Sequence, residues 1–311
     1  MKNASRDLRV TLCSRGSSSL FTLKNPVMPA SGTFGYGTEY GEMVAIERLG
    51  AIVTKGVTSV PWSGNPQPRL WETAAGMLNS IGLENIGVDA VLRDKAPMWA
   101  EWDVPVIVNI AGHTEEEYRL VAQKLDGLPG VAAIEVNISC PNVEKGGLEF
   151  GTNPRVAASL VGEVRDATGL PMIVKLSPNV TDISVIARAV VEAGADALCV
   201  ANTLRGTAID VASRRFRLGR PVGGLSGPAI KPVALHMVHS VAHSIDVPVI
   251  GCGGIATAED ALEFIIAGAA AVQVGTATFT DTRAMVAVID GIGSYMEREG
   301  VVRLDEIRGV I

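Results

Sequence analysis

Residues 131–147 read VAAIEVNISCPNVEKGG, an apolar run that ends by presenting Asn137, Ser139, Cys140 and Asn142 around a proline, before two glycines. A cysteine outside a disulfide is usually a small core hydrophobe, so a thiol set among amides at a strand end points to chemistry only in the company of other reactive groups. Such groups recur. Lys55 and Lys175 each interrupt an otherwise apolar run. They can neutralise a reduced flavin and an acidic substrate, or one of them can form a Schiff base, and the pattern alone does not separate these chemistries. Asn79, Asn109, Asn137, Asn142 and Asn202 offer donors and acceptors together, as a planar ring with alternating N–H and C=O groups requires. Cys252-Gly253-Gly254 and Gly275-Thr276 each precede a helical pattern, and glycines before a helix N-terminus let backbone amides approach a phosphate.

The elements that must carry these residues are short and regularly spaced. Strand-like apolar runs occupy 26–32, 51–58, 105–112, 132–139, 171–178, 197–202, 248–254 and 271–278, mostly apolar throughout, as expected of parallel strands buried on both faces. Helical patterns such as 114–125 and 181–194 lie between them, with Thr or Asp suited to the N-cap and Gly194 to the C-cap. Eight such units predict an α/β fold, a (β/α)₈ TIM barrel forming one domain over residues 1–311. A doubly wound open sheet is the alternative, but no G-x-G-x-x-G follows the first strand. Residues 1–25 are expected to form a β-hairpin, turning at Gly16–Ser19, that closes the barrel bottom. Ser31, Lys55, Asn109, Asn137, Cys140, Lys175, Asn202 and Thr203 then fall at strand C-terminal ends, where such barrels place their active sites. Long connections at 59–85, 141–153 and 204–228 are expected to reach over that face.

Composition narrows the function. A net charge of −6 speaks against a nucleic-acid surface, which needs a basic stripe. No apolar run approaches the ~18 residues of a membrane span, and the first residues lack the apolar core of a signal peptide. Four cysteines without a C-x-x-C pair fit a reducing cytoplasm and provide no set of ligands for an iron–sulfur cluster. Cys13, Cys199 and Cys252 are expected in the core. His236, His239 and His243 have helical spacing, but no glutamate completes a metal motif. The arginines of 205–221 read as a solvated loop.

The motifs in order, TKGVT (54–58), NSIGL (79–83), VNIAG (108–112), NISCPNV with its following glycines, VKLSP (174–178), ANT (201–203), GCGGI (251–255) and VGT (274–276), resemble the class 1 dihydroorotate dehydrogenases. The resemblance runs from about residue 20 to residue 300, and the K-G-V-T and C-P-N-V-x-x-G-G details are most similar to the NAD-linked 1B subclass. It implies FMN in the barrel, its phosphate at Gly253, Gly254, Gly275 and Thr276, with further flavin contacts from Ser31, Lys55, Gly56, Asn109, Asn137, Lys175, Ala201 and Gly227. It implies substrate contacts from Lys55, Asn79, Ser80, Ile81, Gly82, Leu83, Asn137, Asn202 and Thr203, with Asn142 close by, and Cys140 as the base that removes the C5 proton of dihydroorotate. The membrane-associated class 2 enzymes use serine there and carry an N-terminal membrane helix that this chain lacks.

The same resemblance implies a cytoplasmic catalytic chain, a homodimer within a heterotetramer, whose partner subunit carries FAD and a 2Fe–2S cluster and passes electrons to NAD. Competing readings are the fumarate-dependent 1A subclass, a dihydropyrimidine dehydrogenase-like flavoenzyme, a tRNA dihydrouridine synthase, a Schiff-base lyase, and a barrel that binds a phosphate ligand without turnover.

Overall fold

The computed structural model describes residues 6–13, 21–139, 141–142 and 148–311. Eight parallel strands form its centre: β1 (Val27–Pro29), β2 (Ile52–Val53), β3 (Val106–Ile110), β4 (Ala133–Asn137), β5 (Met172–Lys175), β6 (Ala197–Val200), β7 (Val249–Cys252) and β8 (Ala271–Val274). They lie in the order β1-β8-β7-β6-β5-β4-β3-β2. The edges meet where Gly50 N donates to Val27 O at 2.8 Å. A Cβ on Gly50 would fall 2.2 Å from Asn25 O, so only glycine lets the first and second units approach and bring the sheet round into a barrel. All eight expected strands are present, each shorter than its apolar run, because the run continues into the βα loop that carries the polar residues.

The helices around the barrel begin where short polar side chains satisfy the first N–H groups. Thr114 accepts from Glu117 N at the start of Glu115–Leu125, and Asp182 accepts from Ser184 N at the start of Ile183–Glu192. Asn153 caps Pro154–Ala167, whose Ala157, Leu160, Val161 and Val164 fall on one buried stripe. Each fully buried Leu or Val there stabilises the fold by about 1.5–3 kcal/mol relative to exposure.

At the other end of the chain's first unit, Val10–Cys13 pairs antiparallel with Phe21–Leu23. Val10, Thr11 and Thr22 line a cleft together with Val247, Pro248, Val249 and Ala270, at the N-terminal ends of β7 and β8. The turn expected at Gly16–Ser19 lies outside the described residues.

The long connections are more ordered than loops. Leu204–Gly206, Gly223–Ser226, Gly76–Asn79 and Leu70–Thr73 form a four-stranded antiparallel sheet in that order, so segments 59–85 and 204–228 pair with each other. A Cβ on Gly76 would lie 2.1 Å from Ser226 O, which is why the two backbones can come together there. In the third connection, residues 141–142 pair antiparallel with 148–149.

Candidate active site

Inside the barrel, near the C-terminal ends of the strands, polar side chains from five strands meet. Asn109 on β3 donates Nδ2 to Glu135 Oε1 on β4 at 2.7 Å. Glu135 Oε2 accepts from Gln273 Nε2 on β8. Gln273 Oε1 in turn accepts from Lys175 Nζ on β5 at 2.9 Å and from Cys199 Sγ on β6 at 3.3 Å. Lys175 Nζ lies 3.8 Å from Glu135 Oε1, and both side chains are almost fully buried. Burial disfavours the charge on Lys175, but Cys199, Cys252 and Glu135 together outweigh it and hold the lysine pKa above its ordinary value. Hydrogen bonding with Cys199 and the Lys175 charge lower the Cys252 pKa against the effect of burial. Burial pushes the Cys199 thiol well above the usual range.

One end of this belt is open to a ligand. Asn109 Oδ1 is buried and has no hydrogen-bond partner among the described residues, and the same is true of Ser139 Oγ. A Cβ on Gly56 would lie 3.2 Å from Asn109 Oδ1 and 3.3 Å from Leu83 Cδ2, so the loop after β2, the end of β3 and Leu83 converge on one spot. Leu83 itself has φ 53°, a left-handed conformation uncommon for leucine. Lys55 is anchored through its backbone N–H to Gly35 O at 2.7 Å, and its Nζ lies 4.0 Å from Glu84 Oε2. Ser31 Oγ donates to Thr54 O at 2.8 Å, joining the ends of β1 and β2.

The expected phosphate residues come together around the ends of β6, β7 and β8. Gly227, Gly253 and Gly254 all have positive φ. A Cβ on Gly254 would meet Gly227 O at 2.9 Å and Lys231 Cβ at 2.7 Å, and one on Gly253 would meet Ala234 Cβ at 2.7 Å. Thr276 Oγ1 donates to Ser226 Oγ at 2.8 Å, and Gly275 packs toward Ala30. Ala201 N donates to Cys252 O at 2.9 Å, fixing the turn after β6 against the start of this bend.

The amide residues meet over β5. Asn137 Oδ1 accepts from Asn202 Nδ2 at 3.1 Å and from Ser139 N at 3.2 Å. Thr203 N donates to Asn202 Oδ1 at 2.8 Å. Asn79 Nδ2 donates to Gly224 O at 3.2 Å, and a Cβ on Gly224 would strike Thr203 Oγ1, so Asn79 and Thr203 face the same strand. Ser80, Ile81 and Gly82 form the bend that follows and are held by Asn65, which reaches Ser80 Oγ, Ile81 O and the Gly82 backbone. Cys140 lies outside the described residues, as does the side chain of Asn142. Glu135 and Gln273 were not singled out by the sequence reading, although each is a polar residue set between apolar ones within its strand, the same signal that marked the lysines.

A barrel with a charged polar belt below its strand ends, an unmet acceptor and a glycine-lined bend across the last two units defines an α/β-barrel enzyme with its ligand site at the C-terminal face. The dihydroorotate dehydrogenase family model matches residues 18–296. The catalytic subunit of dihydroorotate dehydrogenase B (NAD(+)) from Geotalea uraniireducens is 55% identical over 289 residues, spanning 93% of this chain and 95% of the relative. Its counterpart from Geobacter sulfurreducens is 54% identical over 290 residues with the same coverage. That from Alkaliphilus metalliredigens is 54% identical over 287 residues, 92% of this chain and 95% of the relative. The chain belongs to the dihydroorotate dehydrogenase family.

Proposed function

We propose that this chain, as one domain of residues 1–311, oxidises (S)-dihydroorotate to orotate in pyrimidine synthesis with FMN as its bound cofactor, and that the electrons leave through a partner subunit to NAD. The observation that carries the reading is the buried Asn109 Oδ1, which no described residue satisfies and which lies close to Gly56, while Asn109 Nδ2 and the Lys175 cation both face Glu135 Oε1. An acceptor and a positive charge held through one buried carboxylate fit the polar edge of a flat, reducible ring. The positive-φ bend at Gly227, Gly253 and Gly254, with Gly275 and Thr276, fits its phosphate, since side chains are excluded where backbone N–H groups are needed. Bound FMN supplies a two-electron acceptor for the hydride that leaves C6 of the substrate.

The residues of this chain then have separate tasks. Cys140 Sγ takes the C5 proton, so that loss of the proton and of the hydride leaves the C5=C6 double bond. A thiol with an ordinary pKa of about 8.5 needs only modest help to act near neutrality. Lys55 meets the negative charge of the substrate, and Asn79, Asn137, Asn202 and Thr203 orient its ring, with Ser80, Ile81, Gly82 and Leu83 supplying backbone and apolar contact. Ser31, Lys55, Asn137 and Ala201 would help to hold the cofactor. The charged state of Lys175 disfavours a Schiff-base role, which requires a neutral amine.

The relatives are named NAD(+)-linked catalytic subunits, which favours NAD over fumarate as acceptor and supports a second subunit. We assign FAD and a 2Fe–2S cluster to that partner, and a homodimer of this chain within a heterotetramer. Among the described residues no helix is long and apolar enough to cross a membrane, in keeping with the cytoplasmic placement proposed here.

The test is a visible spectrum of the purified chain before and after anaerobic addition of L-dihydroorotate. A flavin band that bleaches is the expected result. A band that ignores dihydroorotate but responds to dihydrouracil moves the substrate to another dihydropyrimidine, and absence of any band after FMN is supplied overturns the cofactor. Reduction of NAD is expected only once the partner subunit is added.

A further inference from the structure

Glu135 lies on β4 two residues before Asn137 and is fully buried. A carboxylate removed from water is unfavourable unless it is paired and hydrogen-bonded. Here both oxygens face donors: Oε1 accepts from Asn109 Nδ2 at 2.7 Å and lies 3.8 Å from Lys175 Nζ, and Oε2 accepts from Gln273 Nε2. That arrangement fixes two amides. An Asn or Gln that gives its nitrogen to a carboxylate must turn its oxygen away. Gln273 therefore offers Oε1 to Lys175 and Cys199, and Asn109 offers Oδ1, which no group among the described residues uses.

We infer that Glu135 is a positioning residue for the flavin: it locks Asn109 with its oxygen toward the ring and anchors Lys175 as a cation beside it. The inference rests on the FMN reading above. An oxygen acceptor suits a ring N–H, and a fixed cation suits the negative charge that gathers on the ring as it is reduced. Glutamine at 135 would remove both controls. Its own N–H groups could serve Asn109 Oδ1, which frees the Asn109 amide to turn a donor toward the ring, and Lys175 would lose its one carboxylate partner.

The groups that face Lys175 are Glu135 from β4, Cys199 from β6, Cys252 from β7 and the neutral Gln273 from β8, while the rest of β5 is apolar. Cys252 is a second titratable group facing Lys175, its pKa lowered through Cys199, so the comparison is made in a Cys252→Ala background. There the FMN reduction potential is followed against pH with Glu135 and with Glu135→Gln, together with the FMN dissociation constant. Without its carboxylate Lys175 keeps only Cys199, a thiol that burial holds against ionising, to oppose the burial that lowers its own pKa; its charge is then present at low pH and lost as pH rises. The Glu135→Gln holoenzyme is expected to show a new break in the potential–pH line in the neutral-to-alkaline range and FMN binding weakened by about tenfold. Superimposable lines and equal FMN affinity would overturn the inference.

If Glu135→Gln does not fold, Glu135→Asp serves in its place, since it keeps the charge but shortens the reach to Asn109. It is expected to retain the unbroken line yet bind FMN about tenfold more weakly, and undiminished affinity would count against the inference. A parent chain that binds no FMN overturns the flavin reading itself, an outcome distinct from a parent that binds FMN while the Glu135 variants behave as it does.

Discussion

Asn202 Nδ2 donates to Asn137 Oδ1 at 3.1 Å, so the last residue of β4 and the turn after β6 are joined across the end of β5, which lies between them. The same Asn137 oxygen accepts the Ser139 backbone N–H, and Ser139 immediately precedes the proposed base. The pair therefore couples the amides at the ends of β4 and β6 to Ser139, the residue before the proposed base.

Asn202→Ala removes the tie and the substrate contact proposed for Asn202 while leaving the belt beneath intact. The expected result is a normal flavin band with KM for dihydroorotate raised about tenfold, the loss typical of one good hydrogen bond in a desolvated site. Steady-state kinetics with the partner subunit present would read it.

Cys140→Ala is expected to bind FMN as the parent does but to be reduced by dihydroorotate about 10²–10⁴-fold more slowly, the usual contribution of a positioned base. Anaerobic stopped-flow bleaching measures this directly. Serine at 140 should retain more activity at high pH than alanine does.

Gly254 has φ 76°, and a Cβ there would meet Lys231 Cβ at 2.7 Å and Gly227 O at 2.9 Å. Gly254→Ala should lower stability by about 1–3 kcal/mol through strain and weaken FMN retention, seen as flavin release on dilution. Gly162, inside the helix Pro154–Ala167 with nothing near its Cβ position, is the control: Gly162→Ala should stabilise by about 0.5–1 kcal/mol with FMN affinity unchanged.

Lys175→Met leaves Glu135 buried without its cation. Breaking such a pair costs about 3–5 kcal/mol, to be read as a shift in denaturant midpoint. The double variant Glu135→Gln/Lys175→Met should recover part of that loss, because no uncompensated charge remains.

Asp126 ends the helix Glu115–Leu125 and accepts from Thr168 Oγ1 at 2.6 Å and Gly169 N at 2.8 Å, which holds its pKa below the ordinary carboxylate value. Its contribution is thus complete above the ordinary carboxylate range and is lost as pH falls through the lowered pKa. Asp126→Asn should unfold at lower urea than the parent at pH 7, with the difference shrinking as the solution is acidified below about pH 4.

The barrel was legible because its information is local: eight apolar runs, caps such as Thr114 and Asp182, and polar residues such as Lys175 and Asn137 at strand ends. The pairing of Gly76–Asn79 with Gly223–Ser226 was not, since strands nearly 150 residues apart leave no periodic trace in either segment, and residues 59–85 and 204–228 therefore read as loops. Glu135 and Gln273 escaped for a different reason. A polar residue within an apolar strand announces that something is buried with it, but the partner is named only when β4 and β8 face each other across the barrel interior.

That distant pairing also sets a rule for recombining this chain with its relatives. The segment bearing Asn79 and the segment bearing Thr203 share one ladder of backbone hydrogen bonds, so they form a single cassette although they are far apart in the gene. A chimera that exchanges both together keeps the ladder in register. One that exchanges a single member leaves an exposed strand edge over the site, where a foreign chain can add on.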